Sequence, residues 1–568
     1  MGTKTAAVSF AMAAQPAAEQ AQAWSWLEKR LMVGVMAVVL LFASLPYIYG
    51  YLSAPADKQY MGILLDVPDH AQYFSWMREL TTQNLISNKM TPEANQPLFF
   101  NLLWWGLGRL GALLGANYAV MFQALRVSAT LLFFWLVYRL LRWLVAEPRE
   151  RMLAFLLVAF SSGFGWVLVL IKSVGGGELP LPLTVYVAEG NTFLSMMGYP
   201  HFIAALLYIL VFELVLRGQA RGQLRYAVWA GLFALFLGWQ HAYDLVSIYA
   251  VLLAYAGLSL LRERRLPWYL IWSGLIIGLI SVWPALYSVW LTASDPLWKE
   301  ILKQFANAGV YTPNPLQLVI LFGVIFLLAL YTLVRDNPLR LQRYDNRQLF
   351  VLGWFVVTFG LIYLPVDYQI HLLNGWQVPM AILAAGGFYR YLLPALERLA
   401  SRLGAARQVQ SGAAQRWLAA GLVLAVLPTT LYLWSWRFVD LARHTYPYYL
   451  EKNELAALDW LDQHAGPDEV IFSSLTIGQY VPMLTGSHAF LAHWAQTADF
   501  FGKSQAVADF YGGKLDPTGQ AALLKKWQVK YVFDGPAEAG LGAARLDQAQ
   551  FLKAVYQNAG VTVYEVAR

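Results

Sequence analysis

The feature that most limits what this chain can become is a succession of apolar runs of about 17 to 25 residues, each long enough to cross a hydrocarbon layer as a helix. Candidate spans lie near 31–53, 119–138, 152–171, 201–216, 226–242, 244–261, 267–291, 316–334, 349–365, 376–392 and 417–436, about eleven in all. With 568 residues, 58% of them hydrophobic and 13% charged, the chain carries more apolar surface than one water-soluble core could hide. Lipid is therefore its solvent, and the expected fold class is a mainly α, polytopic membrane protein. Its 23 Trp and 32 Tyr suit aromatic belts at both membrane interfaces. The net charge of +7 is not a nucleic-acid footprint, because the basic residues fall in short clusters between apolar runs. The absence of Cys excludes disulfides, thiolate metal sites and a cysteine nucleophile.

The first run, "LMVGVMAVVLLFASLPYIYGY" followed by "SAPA", has the look of a signal peptide. It is long enough to span and a long stretch precedes it, so it reads as an uncleaved anchor. The segment "LFFNLLWWGLGRLGALLG" (98–115) is short, Gly-rich and interrupted by Arg109, which predicts an interfacial or re-entrant helix. Charge tests that choice. With "WLEKR" (26–30) on the cytoplasmic side, the alternation of spans brings Arg139/Arg142/Arg149/Arg151, Arg217/Arg221/Arg225, "RERR" (262–265), Arg335–Arg347 and Arg390–Arg416 to that same side. A full crossing by 98–115 would flip every later cluster outward.

The opposite side then receives 54–118, 172–200, "WQHAYDL" (239–245), 292–315, 366–375 and all that follows about 437. Nearly every unusual polar residue lies there. The expected organisation is a cytoplasmic, disordered N-terminus (1–30, Ala/Gln-rich over its first 25 residues), a transmembrane unit (31–436) whose first outer loop is 54–118, and a small extracytoplasmic α/β domain (437–568). In the last part, "NELAALDWLDQH" has helical spacing, while "EVIFSS", "VKYVFDG" and "GVTVYEVA" read as strands. No phosphate loop, dinucleotide fingerprint, His-Glu-x-x-His helix or Gly-x-Ser-x-Gly elbow is present.

Several constellations carry chemistry, each with a plain structural reading beside it. In "LLDVPDHAQYFSWMREL" (64–80), Pro68 suits the first turn of a helix and Asp66 and Asp69 could cap it. Alternatively Asp69, with Asp66 or His70, forms a base or metal site at the membrane surface. In "WQHAYDL", His241, Tyr243 and Asp244 sit between two apolar helices with almost no loop, where ionisable groups are paired or functional. His201 opens a span after Pro200, and Glu189 lies in the same outer loop. Lys299 and Lys303, four apart on "DPLWKEILKQFANAGVY", face lipid headgroups or bind a ligand phosphate. His371 lies in "VDYQIHLLNGW".

The order of these parts resembles the type C glycosyltransferase superfamily, polytopic enzymes with an acidic motif in the first outer loop and often a soluble outer C-terminal domain. "DHAQYFSWMREL" is similar to their Asp-Glu-x-x-Tyr-x-x-x-x-Arg-Glu loop at Asp69, Tyr73 and Arg78, with His70 in place of the second acid. A closer resemblance is to uncharacterised bacterial membrane proteins of Chloroflexi-type lineages grouped with glycosyltransferases. It rests on "TPEANQPLF", "NTFLSMMGYPHF", "HAYDL", "GWQVPMAILAAGG", "AHWAQTADFFGK" and "YVFDGPAEAGLG". That group tends to have arginine before "GWQVP", where this chain has Ile370 and His371.

The resemblance implies transfer of a sugar from a polyprenyl-phosphate carrier to an acceptor on the outer face of the bacterial inner membrane. Asp69 would be the catalytic base or would hold a divalent cation, Mg or Mn, with Asp66 or His70 assisting. Tyr73, Arg78, Glu189, His201, His241, Tyr243 and Asp244 would line the substrate site, and Lys299, Lys303 or His371 would offset the leaving phosphate. Two rival classes are a non-catalytic scaffold or accessory subunit of a membrane complex, and a lipid or solute transporter, although the chain has no internal repeat of the transporter kind.

Overall fold

The computed structural model describes residues 25–307, 311–402, 411–542 and 545–567. The disorder expected over the first 25 residues falls, apart from Ser25, outside the described residues. Ser25 and Glu28 form a reciprocal capping box that starts the helix Trp26–Leu52. Five helices are long and apolar enough to cross a membrane: Trp26–Leu52, Tyr118–Leu144, Pro200–Arg221, Tyr243–Glu263 and Pro315–Asp336. Three bent pairs bring the number to eight if each pair is one span: Pro148–Phe160 with Gly165–Gly175, Trp268–Ser281 with Trp283–Ser294, and Gly412–Ala425 with Pro428–Ala442. The expected eleven is not reached on length. The runs at 226–242 and 349–365 fold as Arg225–Gly238 and Asn346–Leu361, helices of 14 and 16 residues, while that at 376–392 lies within one continuous helical stretch in which Gln377–Gly387 runs through a π turn at Phe388–Leu392 into Leu393–Arg402. At 1.5 Å per residue the first two measure about 21 and 24 Å, short of a hydrocarbon core of about 30 Å. Segment 98–115 contains the helix Leu102–Leu114, capped by the Asn101 side chain and closed by Gly115 in the left-handed region.

This is a multi-pass membrane protein, and its outer surface agrees. Leu253, Leu279 and Val334 are each more than 70% exposed on helices of high hydropathy, an arrangement stable only against lipid. The spans also share a polarity. Tyr118–Leu144, Pro200–Arg221 and Tyr243–Glu263 each end in arginines, Arg142, Arg221 and Arg262, while His201 and Asp244 stand at the starts of the last two. At the arginine end, Arg151 pairs with buried Glu28 at 2.8 Å, and Arg139 and Arg217 share buried Glu213.

Three interruptions meet inside the bundle. The helix Pro315–Asp336 is broken at Gly323, whose φ is 58°. The break between Phe160 and Gly165 lies against it: Phe164 N–H donates to the Ile320 carbonyl at 2.7 Å, and Ser162 N–H donates to Val426 O, in the third break, at 2.8 Å. The Thr429 hydroxyl donates to Gly163 O at 2.7 Å and accepts from Trp166 N–H at 3.0 Å. Backbone groups freed by each break are thus satisfied by the others, the condition for irregular backbone at membrane depth. A Cβ on Gly323 would lie 2.9 Å from Gly163 Cα, and one on Gly163 would overlap the Ile320 and Leu321 carbonyls.

The chain after Ala442 is tied back to the first loop. Strand β1 (Lys58–Tyr60) pairs antiparallel with β2 (Tyr449–Glu451), in register Gln59 to Leu450. Five further strands, β3 (Val470–Phe472), β4 (His488–Ala489), β5 (Val529–Asp534), β6 (Leu552–Gln557) and β7 (Thr562–Val566), form one sheet in the order β4-β3-β5-β7-β6. It is parallel across β4, β3 and β5 and antiparallel from β5 through β7 to β6. Strands β3, β5 and β7 fall on the three stretches whose composition predicts them. One face of the sheet joins the core of the helical bundle through Ile471, Ala489 and Val563; the other packs Phe472, Val532 and Phe510 into a separate cluster. The sheet is thereby held by its own core against the loop that carries the acidic motif.

Candidate active site

The acidic motif forms the turn before and the first turn of the helix Val67–Glu79, hereafter the acid helix. Asp66 occupies its N-cap in the left-handed region, with φ 45° and ψ 59°, and its side chain makes no capping bond. Aspartate tolerates that backbone better than most residues, yet the conformation costs energy that the surroundings must supply. The carboxylate is freed from capping and meets that of Asp69, which stands in the first helical turn where the helix dipole favours negative charge. Burial works to raise both carboxyls. Asp69, accepting hydrogen bonds from His493 and Asp66, is held below the usual carboxylate range, while burial and the adjacent Asp69 charge push Asp66 well above it. The pair is thus split, the surroundings favouring the ionised form of Asp69 and the protonated form of Asp66.

His493 comes from the loop after β4, and its Nε2 lies 2.7 Å from Asp69 Oδ1. Its Nδ1 accepts from the backbone N–H of Ala495 at 2.9 Å and that of Gln496 at 3.3 Å. A ring nitrogen that accepts carries no proton, so the hydrogen is on Nε2 and points at Asp69. His70, in contrast, is turned away from the carboxyls. Its Nδ1 lies 2.8 Å from the Asp66 carbonyl and its Nε2 2.7 Å from the Gly198 carbonyl, joining the acidic turn to the turn before His201. Burial pushes its imidazole down, against the pull of the two carbonyls and of Asp69.

Around this centre the remaining polar residues form a continuous group. The Tyr73 hydroxyl lies 3.3 Å from His201 Nε2, its ring stacks on Trp104, and burial raises its hydroxyl well above the usual range. His201 packs on Phe202, which in turn contacts both His241 and His371 with ring centroids 5.8 and 5.7 Å away. His371 Nδ1 lies 2.5 Å from Glu189 Oε1, and its ring stacks on Tyr243 at 5.3 Å. Burial works to lower His371, but the Glu189 hydrogen bond and charge outweigh it and hold the imidazole above its ordinary value. His241 Nδ1 lies 2.7 Å from Asp244 Oδ2 within one helical turn, the buried pair that the plain reading of "WQHAYDL" also allows. Asp69, Asp66, His70, Tyr73, Glu189, His201, His241, Tyr243, Asp244 and His371 are therefore brought to one end of the bundle, in contact directly or through one ring.

Three candidates stand apart. Arg78 turns away from Asp69 to pair with Asp462 and to donate to Leu484 O at 2.8 Å, fastening the acid helix to the C-terminal part. Lys299 and Lys303 are exposed on the helix Pro296–Asn307, whose other face buries Trp298 and Ile301. Trp298 meets Phe99, Phe99 meets Trp76, and Trp76 meets Tyr73, so this arm helix touches the site through a row of aromatics. Sequence reasoning missed His493. The stretch "AHWAQTADFFGK" around it was distinctive, but no spacing relates it to an aspartate 424 positions away.

No family model matches the chain, and no curated protein matches it. Solved structures do. The oligosaccharyltransferase of Archaeoglobus fulgidus in the apo form aligns with a TM-score of 0.55 at 14% identity, over 96% of this chain and 75% of that one. The same archaeal protein in complex with an inhibitory peptide and a dolichol-phosphate gives 0.53 at 13% identity, over 96% and 75%. Its complex with Zn and sulfate gives 0.52 at 13%, over 94% and 73%. At that identity the likeness is one of fold.

Proposed function

We propose that the chain is a membrane glycosyltransferase that moves a sugar from a polyprenyl-phosphate donor to an acceptor at the outer face of the bacterial inner membrane. The observation that carries this reading is the convergence of an ionised Asp69, oriented by His493 and flanked by protonated Asp66, with a histidine and tyrosine cluster at one end of an apolar bundle. Asp69 takes the proton of the acceptor hydroxyl while its oxygen attacks the anomeric carbon in line; the bond from that carbon to the donor phosphate breaks, and the polyprenyl phosphate leaves with the electron pair. His371, charged against Glu189, offsets the developing charge where related proteins tend to have arginine. His201 has a ring nitrogen, Nδ1, without a hydrogen-bond partner among the described residues, and is the group we assign to the sugar or phosphate oxygens. Lys299 and Lys303, on the exposed face of an amphipathic helix, suit lipid headgroups or the donor phosphate. The fold shared with an oligosaccharyltransferase supports the reaction class. The arginine-rich opposite ends of the spans support the outward placement of the site, with an N-terminus in the cytoplasm. We also infer that its nearest kin are the Chloroflexi-type proteins whose motifs it shares.

A divalent cation would have to rest on the Asp66 and Asp69 carboxyls, because the neighbouring imidazoles are engaged elsewhere. Both nitrogens of His70 face backbone carbonyls, and those of His493 are occupied by Asp69 and backbone amides. Among the described residues no group of three His, Cys, Asp or Glu side chains could hold a metal ion. No step of the proposed mechanism runs through one. The decisive experiment is Asp69→Asn: it should abolish sugar transfer from a polyprenyl-phosphate donor while leaving folded protein, and retained transfer would remove Asp69 from the role of base.

A further inference from the structure

The group that orients Asp69 is itself held by an element far from it in sequence. The loop 492–500, which carries His493, has little secondary structure of its own, yet its backbone is fixed on two sides. From within, the Thr497 hydroxyl accepts from the N–H groups of Ala492 at 3.1 Å and His493 at 3.0 Å and donates to Met90 O at 2.5 Å. From outside, a single side chain of the arm helix, Gln304, makes three hydrogen bonds to it. Its Nε2 donates to Trp494 O at 3.0 Å and to Thr497 O at 2.8 Å, and its Oε1 accepts from Phe500 N–H at 3.3 Å. Those three bonds engage both amide protons and the amide oxygen. Gln304 lies three residues after buried Ile301, on the inward face of the helix, while Lys299 and Lys303 point outward.

We infer that Gln304 is a positioning residue for the catalytic base: by latching the loop 494–500 it fixes the ring of His493, and through that ring the Asp69 carboxylate. The carbonyls of Trp494 and Thr497 flank the two amides, of Ala495 and Gln496, whose hydrogen bonds select the His493 tautomer. Releasing them lets the loop turn and the Nε2–H leave Asp69. The latch also connects the site to a helix whose exposed face carries Lys299 and Lys303, so that what touches the arm helix bears on Asp69. The catalytic meaning of this latch rests on the proposed transferase reading, but its physical content does not.

The test separates the two. Protein labelled with ¹⁵N-histidine is compared as wild type, Gln304→Glu and Gln304→Met, with His493→Gln used to assign the ring. Glutamate keeps the shape of Gln304 but cannot donate to two carbonyls when ionised; methionine keeps the length without polarity. The wild type should show His493 as one tautomer, protonated at Nε2. Both variants should show a second His493 population and about tenfold faster hydrogen exchange at the Ala492 and His493 amides, the size expected from losing one or two network hydrogen bonds. Unchanged His493 signals and unchanged exchange in the two variants would overturn the inference. Should one variant fail to elute as a monodisperse species, the other decides. Wild-type tautomer and variant disorder with an active Asp69→Asn would leave the latch standing and remove the transferase reading instead.

Discussion

Replacing His371 by arginine should abolish the alkaline limb of the pH profile for sugar transfer, because only the histidine cation is lost as the pH rises. In the structure His371 lies 2.5 Å from Glu189, with 18% of its side chain and 7% of that of Glu189 accessible, so solvent screens the pair only weakly. The carboxylate raises the imidazole above its ordinary 6.5 despite burial. The sign follows. Stabilisation from the pair is complete below pH 6.5 and is lost as the pH rises through the raised folded-state value. If the cation faces the leaving phosphate, transfer falls over the same interval. The assay is kcat against pH with a radiolabelled polyprenyl-phosphate sugar for wild type, His371→Arg, His371→Gln and Glu189→Gln. His371→Gln should lose on the order of 10²-fold to 10³-fold in kcat on the acid side of the limb, the cost of removing one group that meets developing charge, and should converge on wild type above it. Glu189→Gln should move the limb to lower pH, since burial is then opposed only by the charges of Asp69 and Asp244. An alkaline limb that persists in His371→Arg would assign it to another group and refute the reasoning.

The acid pair predicts an asymmetry: Asp66→Asn, which keeps a donor toward Asp69, should retain transfer within about tenfold, whereas Asp66→Ala should lose about 10²-fold, the usual weight of one such hydrogen-bonding group. Equal losses would mean that Asp66 is not a proton donor to Asp69. Glu538, fully buried beneath the Ser474 turn, has its carboxyl raised by burial from 4.5 to about 7. The folded state therefore binds the proton more tightly than the unfolded one. Stability should fall by roughly 3 kcal/mol between pH 4.5 and 7 and level off above, a slope in Tm that Glu538→Gln should flatten. Gly163→Ala drives a methyl into the carbonyls of Ile320 and Leu321, backbone atoms with nowhere to move, and should cost about 3 kcal/mol or more, read as lost monodisperse protein after detergent extraction.

The parts of this molecule that depend on solvent were legible in the sequence. Long apolar runs declared the membrane helices, and β3, β5 and β7 stood out as short runs of β-branched and aromatic residues. The loop positions of Asp69, His201, His241 and His371 declared one polar end, since charge placement obeys topology. What depended on mutual contact was not legible. Asp66 looked like a helix cap, and only its left-handed backbone shows that its carboxyl faces Asp69 instead. Arg78 follows Asp69 on the same helix at a spacing that invites a shared site, but nine residues turn it toward Asp462. His493 and Gln304 act at sequence separations of 424 and 190, where no periodicity operates. Helix ends and bends were not legible either, because an apolar run does not mark where a helix bends or stops: Tyr118–Leu144 outruns its apolar stretch, while Trp268–Ser281 and Trp283–Ser294 divide one.

The meeting of Gly163 and Gly323 bears on how this fold drifts through evolution. A side chain at either position is forbidden by the backbone of the other break, so the two sites cannot diversify independently. Among descendants of one ancestor they should change together or not at all, even where surrounding lipid-facing positions have randomised. A pair of glycines 160 residues apart, one after "SS" and the other within an apolar helix, is therefore a marker by which distant kin could be sorted when overall identity has fallen too low to align.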